Sequence, residues 1–125
     1  MPGIVKTYYE DGQLREIYFE NNGTKEGEYK HYRQTGRVCL TCNYVNGKLN
    51  GDYILYYKNG QLLCVCTYVD GKIEGKYKCY SEDGKFVDVS NYVGGKADRE
   101  FRRYYIGSEF YTTHNYCDGK QKITC

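Results

Sequence analysis

Cysteine is the residue type in this chain best suited to carry out chemistry, and there are seven of them. Two close pairs stand out, Cys39-x-x-Cys42 and Cys64-x-Cys66. A structural zinc site needs four Cys or His ligands that converge on one ion. If these segments are strands, Cys39 and Cys42 point to opposite faces, and the best remaining set is Cys64, Cys66 and Cys79. Three ligands are too few, so we predict no metal and expect the thiols to pack as small apolar side chains.

The two histidines, His31 and His114, are the candidate bases for nucleophilic catalysis. His114 lies three residues before Cys117, so the two side chains would face opposite ways on a strand. A Cys/His pair must lie within hydrogen-bond reach, which this spacing does not provide. Carboxylates such as Asp11 and Asp83 belong to turns, and no glycine-rich loop precedes a helix. We therefore predict that the protein is not an enzyme and has neither catalytic residues nor a cofactor.

The composition argues against several classes of protein. The 125 residues include 17 Tyr, 15 Gly, one Pro and no Trp, and 18 basic residues offset 16 acidic ones. Because the opposite charges are interleaved along the chain, a nucleic-acid partner is unexpected. The sequence shows neither an N-terminal signal pattern nor an apolar run of about 20 residues. It therefore predicts an intracellular, cytoplasmic protein without a transmembrane segment.

The odd number of cysteines fits that location, since seven thiols cannot all pair within one chain. In a reducing compartment we expect free thiols. A disulfide between Cys64 and Cys79, which are diagonal neighbours on adjacent predicted strands, would form only under oxidising conditions.

A 24-residue period dominates the sequence. Glycines at turn-like positions recur at this interval in two series: Gly12, Gly36, Gly60 and Gly84, then Gly23, Gly47, Gly71, Gly95 and Gly119. Tyrosines keep the same interval, and so do further glycines at Gly3, Gly27, Gly51 and Gly75. Five copies fit, at residues 3–26, 27–50, 51–74, 75–98 and 99–122, and the first and last copies are degraded. The whole chain, residues 1–125, is therefore predicted to be one repeat domain.

Each copy contains two turn signals of the Asp-Gly or Asn-Gly type, about 12 residues apart. These dipeptides favour two-residue turns with positive φ at both positions. The runs between them are rich in Tyr, Val, Ile and Thr, which are strand-forming residues. We predict an all-β protein, an elongated single-sheet antiparallel meander of five β-hairpin repeats and about ten strands.

Two-residue turns at Asp11-Gly12 and Asn22-Gly23 would set the register. Tyr8 would then lie opposite Arg15, and Tyr18 opposite both Val5 and Gly27. By the same rule, Gly51 and Gly75 would lie opposite Cys42 and Cys66. In-strand glycines of this kind usually mark a bend or a close approach.

This register sorts the side chains onto two faces. One face would be aromatic and apolar, and it would collect Tyr29, Tyr53, Tyr77, Phe101, Tyr44, Tyr68, Tyr92 and Tyr116 with Val38, Leu62, Phe86, Phe110, Leu40, Leu55, Cys42, Cys64 and Cys66. The other face would mix a ladder of tyrosines with polar groups and a row of Lys6, Lys30, Lys78 and Arg102. An exposed aromatic face normally marks an interface, unless the sheet curls and covers it with its own side chains.

The phrases "YVNGKLNGDY" and "YVDGKIEGKY" resemble MORN repeats, in particular the variant class that occurs in tandem in bacterial antitoxin-like proteins and in large DNA viruses. The resemblance covers the chain from Gly3 to about residue 122 and rests on the turn glycines and the Tyr and Leu columns. It implies an elongated β solenoid that binds or scaffolds rather than catalyses. For a viral protein, it would imply the host cytoplasm or the virion.

Three functions follow as hypotheses. The first is a scaffold that binds a protein partner, or itself as a homodimer, through the eight aromatic residues Tyr29, Tyr53, Tyr77, Phe101, Tyr44, Tyr68, Tyr92 and Tyr116. The second is an adaptor to an anionic lipid surface through the Lys/Arg row. The third, implied by the resemblance, is an antitoxin-like neutraliser of a partner protein.

Overall fold

The protein is a single open antiparallel sheet, as predicted. The computed structural model describes residues 2–115, so Tyr116, Cys117 and Gly119 lie outside the described residues. The strands are β1 (Gly3–Tyr8), β2 (Leu14–Asn21), β3 (Thr24–Tyr32), β4 (Val38–Val45), β5 (Lys48–Leu49), β6 (Gly51–Tyr56), β7 (Leu62–Val69), β8 (Lys72–Tyr80), β9 (Phe86–Val93), β10 (Lys96–Ala97), β11 (Glu100–Tyr105) and β12 (Tyr111–Asn115). Residues 2–115 contain no helix long and apolar enough to cross a membrane.

The strands follow one another across the sheet in chain order. The path is β1-β2-β3-β4-β6-β7-β8-β9-β11-β12, and the two-residue strands β5 and β10 pair with β4 and β9 beside it. Sequential antiparallel pairing is what short hairpin turns enforce. The predicted meander of about ten strands is confirmed.

The turns at Asn22-Gly23 and the equivalent positions match the prediction. Asn22 and Gly23 both have positive φ, 53° and 77°, as a type I′ turn requires. The same two-residue turn recurs at Asn46-Gly47, Asp70-Gly71 and Gly94-Gly95. A type I′ turn has the right-handed twist of the flanking strands, so these hairpins keep the predicted register.

The turns at Asp11-Gly12 and the equivalent positions differ from the prediction. At Asp11-Gly12 only the glycine has positive φ, and the loop has three residues. The N–H of Gly12 donates to the Tyr9 carbonyl (3.0 Å), and the Asp11 carboxylate accepts the N–H of Gln13 (3.0 Å). This is a type I turn followed by a left-handed glycine. The predicted two-residue turn at Asp11-Gly12 is therefore wrong.

The three-residue loop shifts the register of the strands that it joins. Tyr8 pairs with Leu14, and Thr7 pairs with Glu16, so Arg15 is an extra, bulged residue. The predicted pairing of Tyr8 with Arg15 is therefore wrong. The same shift recurs at the equivalent loops of the next two repeats.

A second set of bulges lies at the repeat-start glycines. Tyr18 pairs with Val5 as predicted, but its second partner is Tyr29 rather than Gly27. Gly27 has φ +79°, a conformation that only glycine adopts without a Cβ penalty, and it pairs with Tyr44. The expected bend at these glycines thus takes the form of a β-bulge. Gly51 and Gly75 pair with Tyr68 and Tyr92 on the strands that follow them. On their other side, where Cys42 and Cys66 were the predicted partners, the ladder is interrupted in the same way.

The loop bulges also change which side chains share a face. Leu62 pairs with Tyr56, and Val38 pairs with Tyr32, although the prediction placed each pair on opposite faces. Leu63 packs against the apolar cluster in the place predicted for Leu62. One extra residue shifts the alternation of side chains by one position, which explains the error.

The loop between β8 and β9 is one residue longer and avoids this shift. The N–H of Ser81 donates to the carbonyl of Phe86 (2.9 Å), and Tyr80 pairs with Val87 without a register change. Phe86 therefore stays on its predicted face, where the Arg103 guanidinium lies 3.9 Å from the centre of its ring.

One side chain from each of ten strands forms a continuous row across one face, which we call the central row. Each member is the direct cross-strand partner of the next. The core of the sheet lies at its middle, where Leu55, Cys64 and Cys79 are buried together. The row is Thr7, Glu16, His31, Leu40, Leu55, Cys64, Cys79, Asp88, Arg103 and Thr112.

The type I′ turns provide a direct test of the backbone geometry. Gly47 has φ +79°, and a Cβ at this position would lie 2.9 Å from Cγ2 of Thr24. Gly23 has nearly the same φ, +77°, with nothing within 4 Å of such a Cβ. We expect Gly23→Ala to lower the free energy of unfolding by about 1–2 kcal/mol, the cost of a left-handed alanine. Gly47→Ala should cost about 1 kcal/mol more because of the overlap with Thr24.

Urea unfolding followed by circular dichroism measures both variants. Thr24→Ser removes the obstructing methyl group, so in the Gly47→Ala background it should recover the additional loss. Equal losses for Gly23→Ala and Gly47→Ala would show that the contact with Thr24 is not made.

Candidate functional site

The central row carries a different kind of side-chain pair in each type I′ hairpin. The Asp88 carboxylate receives two hydrogen bonds from the Arg103 guanidinium, at 2.7 and 2.9 Å. This paired geometry gives a stronger interaction than a single contact. From the N-terminal hairpin onward the pairs are Glu16 with His31, Leu40 with Leu55, Cys64 with Cys79, and Asp88 with Arg103.

The Cys64–Cys79 pair is a disulfide that joins residues 15 apart in the sequence. The expectation of free thiols is therefore wrong for these two residues, because the pairing of β7 with β8 sets them directly opposite each other. Disulfide formation also removes two of the three candidate metal ligands. Within residues 2–115, no group of three or more Cys, His, Asp or Glu side chains is arranged to hold a metal ion.

Cys42 and Cys66 are free and buried, at 5% and 4% exposure. Burial raises the pKa of the Cys42 thiol to about 11 and that of Cys66 to about 12. A thiol acts as a nucleophile only as the thiolate, which these pKa values disfavour at neutral pH. Both side chains therefore act as small apolar residues of the sheet.

Six of the predicted binding residues form ring pairs on the face that carries the central row, which we call the aromatic face. The ring centres of Tyr53 and Tyr68 lie 5.0 Å apart, a distance typical of favourable aromatic contacts. These rings are half-buried against one another and against Cys66, and burial raises the pKa of Tyr68 to about 12. The other two pairs are Tyr29 with Tyr44, at 5.9 Å, and Tyr77 with Tyr92, at 5.6 Å. Phe101 stacks instead on His114, at 5.3 Å.

Lys25 completes an aromatic cage that the sequence analysis missed. Its ammonium lies 5.0, 5.1 and 5.4 Å from the ring centres of Tyr18, Tyr29 and Tyr44. Each distance falls within the range of a cation–π contact. The signal was present in the sequence, because the residues that follow Lys25 at 24-residue intervals are Leu49, Ile73 and Ala97.

Tyr29 and Glu16 form a hydrogen-bonded pair beside this cage. The Tyr29 hydroxyl donates to the Glu16 carboxylate, which also accepts the hydroxyl of Thr7 at 2.9 Å. The bond from Tyr29 is the main reason that the pKa of Glu16 lies below its usual value. Burial, followed by the same bond, raises the pKa of Tyr29. Glu16 thus remains ionised and Tyr29 remains neutral near pH 7.

The opposite face, which we call the basic face, carries the predicted Lys/Arg row. The row crosses the sheet through direct cross-strand partners, and β-branched residues separate the cations. Lys30 lies 3.6 Å from the Glu28 carboxylate, and the Arg102 guanidinium lies 4.5 Å from the centre of the Tyr111 ring. In order, the row is Lys6, Ile17, Lys30, Thr41, Ile54, Val65, Lys78, Val89, Arg102 and Thr113.

Three depressions lie along the basic face. The largest, about 540 Å³, is mainly apolar and is lined by Ile4, Ile17, Phe19, Lys30 and Tyr32 among others. The second, about 380 Å³, includes Thr41 and Ile54 with the carboxylates Glu28 and Asp52. The third, about 280 Å³, includes Val89, Arg102 and Tyr104 with the carboxylates Asp98 and Glu100.

The largest depression contains apolar residues that the sequence analysis missed. Ile4 is 69% exposed and Phe19 is 40% exposed. In the later repeats, charged residues occupy the position of Ile4 and Asn or Thr occupies that of Phe19, so comparison of the repeats position by position could have identified both. Exposed apolar side chains that cluster in this way often mark a binding surface.

These features define a class of protein, an open sheet of β-hairpin repeats with two chemically different faces. Residues 1–22 and 49–70 match the MORN repeat variant family. These two segments thus carry MORN repeats of the variant class, as the sequence analysis predicted. Such repeats are generally modules of protein or membrane interaction and are typically non-enzymatic. The comparison with curated proteins gave no match.

Proposed function

We propose that this protein is a non-enzymatic scaffold that binds a protein partner, or a second copy of itself, through the aromatic face. The observation that supports this most directly is the set of three tyrosine pairs, Tyr29 with Tyr44, Tyr53 with Tyr68 and Tyr77 with Tyr92. Tyrosine is enriched at protein interfaces because its ring gives contact area at little entropic cost, while its hydroxyl can form a hydrogen bond. Repetition of the pair in successive repeats would extend the contact along the sheet.

The chemistry of the aromatic face supports binding rather than catalysis. The thiols of Cys42 and Cys66 are protonated near pH 7, and the Glu16 carboxylate is held by Tyr29 and Thr7. Asp88 is likewise neutralised by Arg103. These four groups are therefore held in structural roles.

The aromatic-face proposal is tested with the variants Tyr68→Ser and Tyr92→Ser. In sedimentation velocity over a range of concentrations, self-association of the wild type should be lost in both variants. If the wild type is a monomer, the same variants should abolish capture of the partner from the native host. Tyr80→Ser, on the basic face, is the matched control. Association or capture that survives both aromatic-face changes would overturn the proposal.

A second candidate function is an adaptor to anionic lipid surfaces. It rests on the position of Lys6, Lys30, Lys78 and Arg102 in one transverse row. Each basic residue near an anionic membrane contributes about 1 kcal/mol of attraction. Liposome flotation with and without phosphatidylserine is the test, and equal flotation of the wild type and a Lys30→Ser/Lys78→Ser variant would exclude this function.

A further inference from the structure

A ladder of tyrosines runs beside the Lys/Arg row on the basic face. Each ladder residue lies two positions after a member of the row on the same strand, so both side chains share a face. Tyr8 is 54% exposed and the others are half-buried. The ladder consists of Tyr8, Tyr32, Tyr56, Tyr80 and Tyr104.

The backbone of the ladder is held by bonds between neighbouring repeats. The Tyr9 hydroxyl donates to the Tyr32 carbonyl (2.5 Å), and the Arg33 guanidinium donates to the Tyr56 carbonyl (2.8 Å). The Tyr57 hydroxyl donates to the carbonyl of Tyr80 in the same way. These contacts fix the positions from which the rings project, so the spacing of the ladder is a property of the fold.

That spacing matches one conformation of a bound peptide. Successive ladder residues are two strands apart, which is about 9.4–9.8 Å. A polyproline II helix has three residues per turn with a rise of 3.1 Å, so its pitch is about 9.3 Å. Every third residue of such a peptide returns to the same side at the interval of the tyrosines.

Other peptide conformations do not match. In an extended strand, residues three apart point to opposite sides. In an α-helix with a rise of 1.5 Å, a step of about 9.6 Å covers between six and seven residues, which is not a whole number of turns. A polyproline II segment is thus the regular conformation that keeps contact with the whole ladder.

The depressions on the basic face follow the same interval. Those at Ile17 and Lys30 and at Thr41 and Ile54 are two strands apart, and the third, at Val89 and Arg102, lies four strands further along. Proline-rich segments bind to aromatic-lined grooves of this kind because their backbone is already ordered. Tyr32 lines the first depression and Tyr104 lines the third, so ladder rings and depressions adjoin at these two places.

The charges on the basic face indicate which kind of partner it would bind. The Lys/Arg row runs alongside the ladder at the same interval, so it would meet acidic side chains placed three residues apart in a bound peptide. On the far side of this row the same strands carry Glu28, Asp52 and Glu100, with Lys76 at the equivalent position of β8. A flat anionic membrane would bring its headgroups against all of these carboxylates at once, whereas a peptide that follows the ladder would approach only those at the edges of the depressions beside Tyr32 and Tyr104. The arrangement of charge favours a peptide over a lipid surface.

We propose that the basic face binds a proline-rich segment of a partner protein, in the polyproline II conformation, with an acidic residue in each three-residue turn. Prolines would lie on the tyrosine ladder and in the depressions beside Tyr32 and Tyr104, and the acidic residues would lie over Lys30, Lys78 and Arg102. This site lies on the face opposite to the tyrosine pairs of the proposed scaffold function, so either proposal can fail without the other.

The test uses a synthetic twelve-residue peptide, four repeats of Pro-Pro-Glu with blocked ends, which is about 37 Å long as a polyproline II helix. Titrated into the 15N-labelled full chain, it should shift amide signals of the ladder and the Lys/Arg row. A Gly-Gly-Glu peptide of equal length keeps the charge but loses the conformation, and a Pro-Pro-Lys peptide reverses the charge. Both control peptides should bind about tenfold more weakly than the Pro-Pro-Glu peptide, or weaker still.

Variants of the ladder locate the site. Tyr56→Ser and Tyr80→Ser should each weaken binding of the Pro-Pro-Glu peptide about three- to tenfold. Tyr68→Ser, on the aromatic face, is the matched control and should leave binding unchanged, with circular dichroism confirming that all three variants fold. Equal binding of the Gly-Gly-Glu peptide, shifts confined to the aromatic face, or binding of phosphatidylserine vesicles that the ladder variants weaken equally would overturn the proposal.

Discussion

Removal of the disulfide by Cys64→Ala/Cys79→Ala should lower the free energy of unfolding by about 3 kcal/mol, the loop-closure entropy of a 15-residue loop. The effect should be large relative to the total, because a single-layer sheet buries little apolar surface. The two sulfur atoms also lie at the centre of the apolar cluster, where Cys64 is 2% exposed. Loss of their packing would add to the entropic effect.

Urea unfolding of the oxidised protein and the double variant measures the difference. Cys42→Ala is the matched control, because Cys42 is free and equally buried on the same face. It reports the loss of one buried sulfur without the loss of a cross-link. If the double variant loses no more than twice the effect of Cys42→Ala, the bond contributes nothing to stability.

Leu55→Ala should lower the free energy of unfolding by about 2–5 kcal/mol, the range for a leucine truncated in a core. Leu55 is 6% exposed and lies between its cross-strand partners Leu40 and Cys64. Tyr53 and Tyr77 pack against the same cluster. Residues 2–115 form a single layer, without a second one that could move in to fill the space, which should place the result in the upper part of the range.

Ile54→Ala is the control for this change, since Ile54 is the neighbouring residue on the basic face and is only partly buried. Its loss should be less than half that of Leu55→Ala, because fewer contacts disappear. The same urea experiment measures both. Similar losses for the two variants would mean that the stability of the sheet does not come mainly from the aromatic face.

The sequence predicted the meander because hairpin turns and strand-forming runs are local signals. It did not predict the bulges, since Asp11-Gly12 and Asn22-Gly23 are nearly the same dipeptide in two different turns. What separates them is the conformation of the residue before the glycine, which has positive φ at Asn22 but not at Asp11. At Asp11 the side chain accepts the N–H of Gln13 and stabilises the longer loop. That choice depends on the pairing of the flanking strands, which no dipeptide specifies.

The candidate surfaces were likewise predicted only where their geometry does not depend on the bulges. The Lys/Arg row lies on one face as predicted, because the register shifts at the loops begin only beyond Thr7 and His31, the residues that follow Lys6 and Lys30. The Lys25 cage was not predicted, because it requires Tyr18 to pair with Tyr29 across the bulge at Gly27. The disulfide was foreseen as a neighbouring pair of thiols, but the redox state of the compartment cannot be read from residue spacing.

The side-chain pairs of the central row restrict how such a chain can lengthen or shorten. Each pair joins the two strands of one type I′ hairpin, so its members fall in two successive 24-residue copies. Duplication of residues 51–74 alone would set a second Leu55 opposite Cys64, with no partner for the thiol. An insertion or deletion that begins and ends in the three-residue loops, such as residues 35–58, carries Leu40 and Leu55 together. The evolutionary unit of this protein should therefore be the hairpin between two such loops, out of phase with the repeat that its sequence displays.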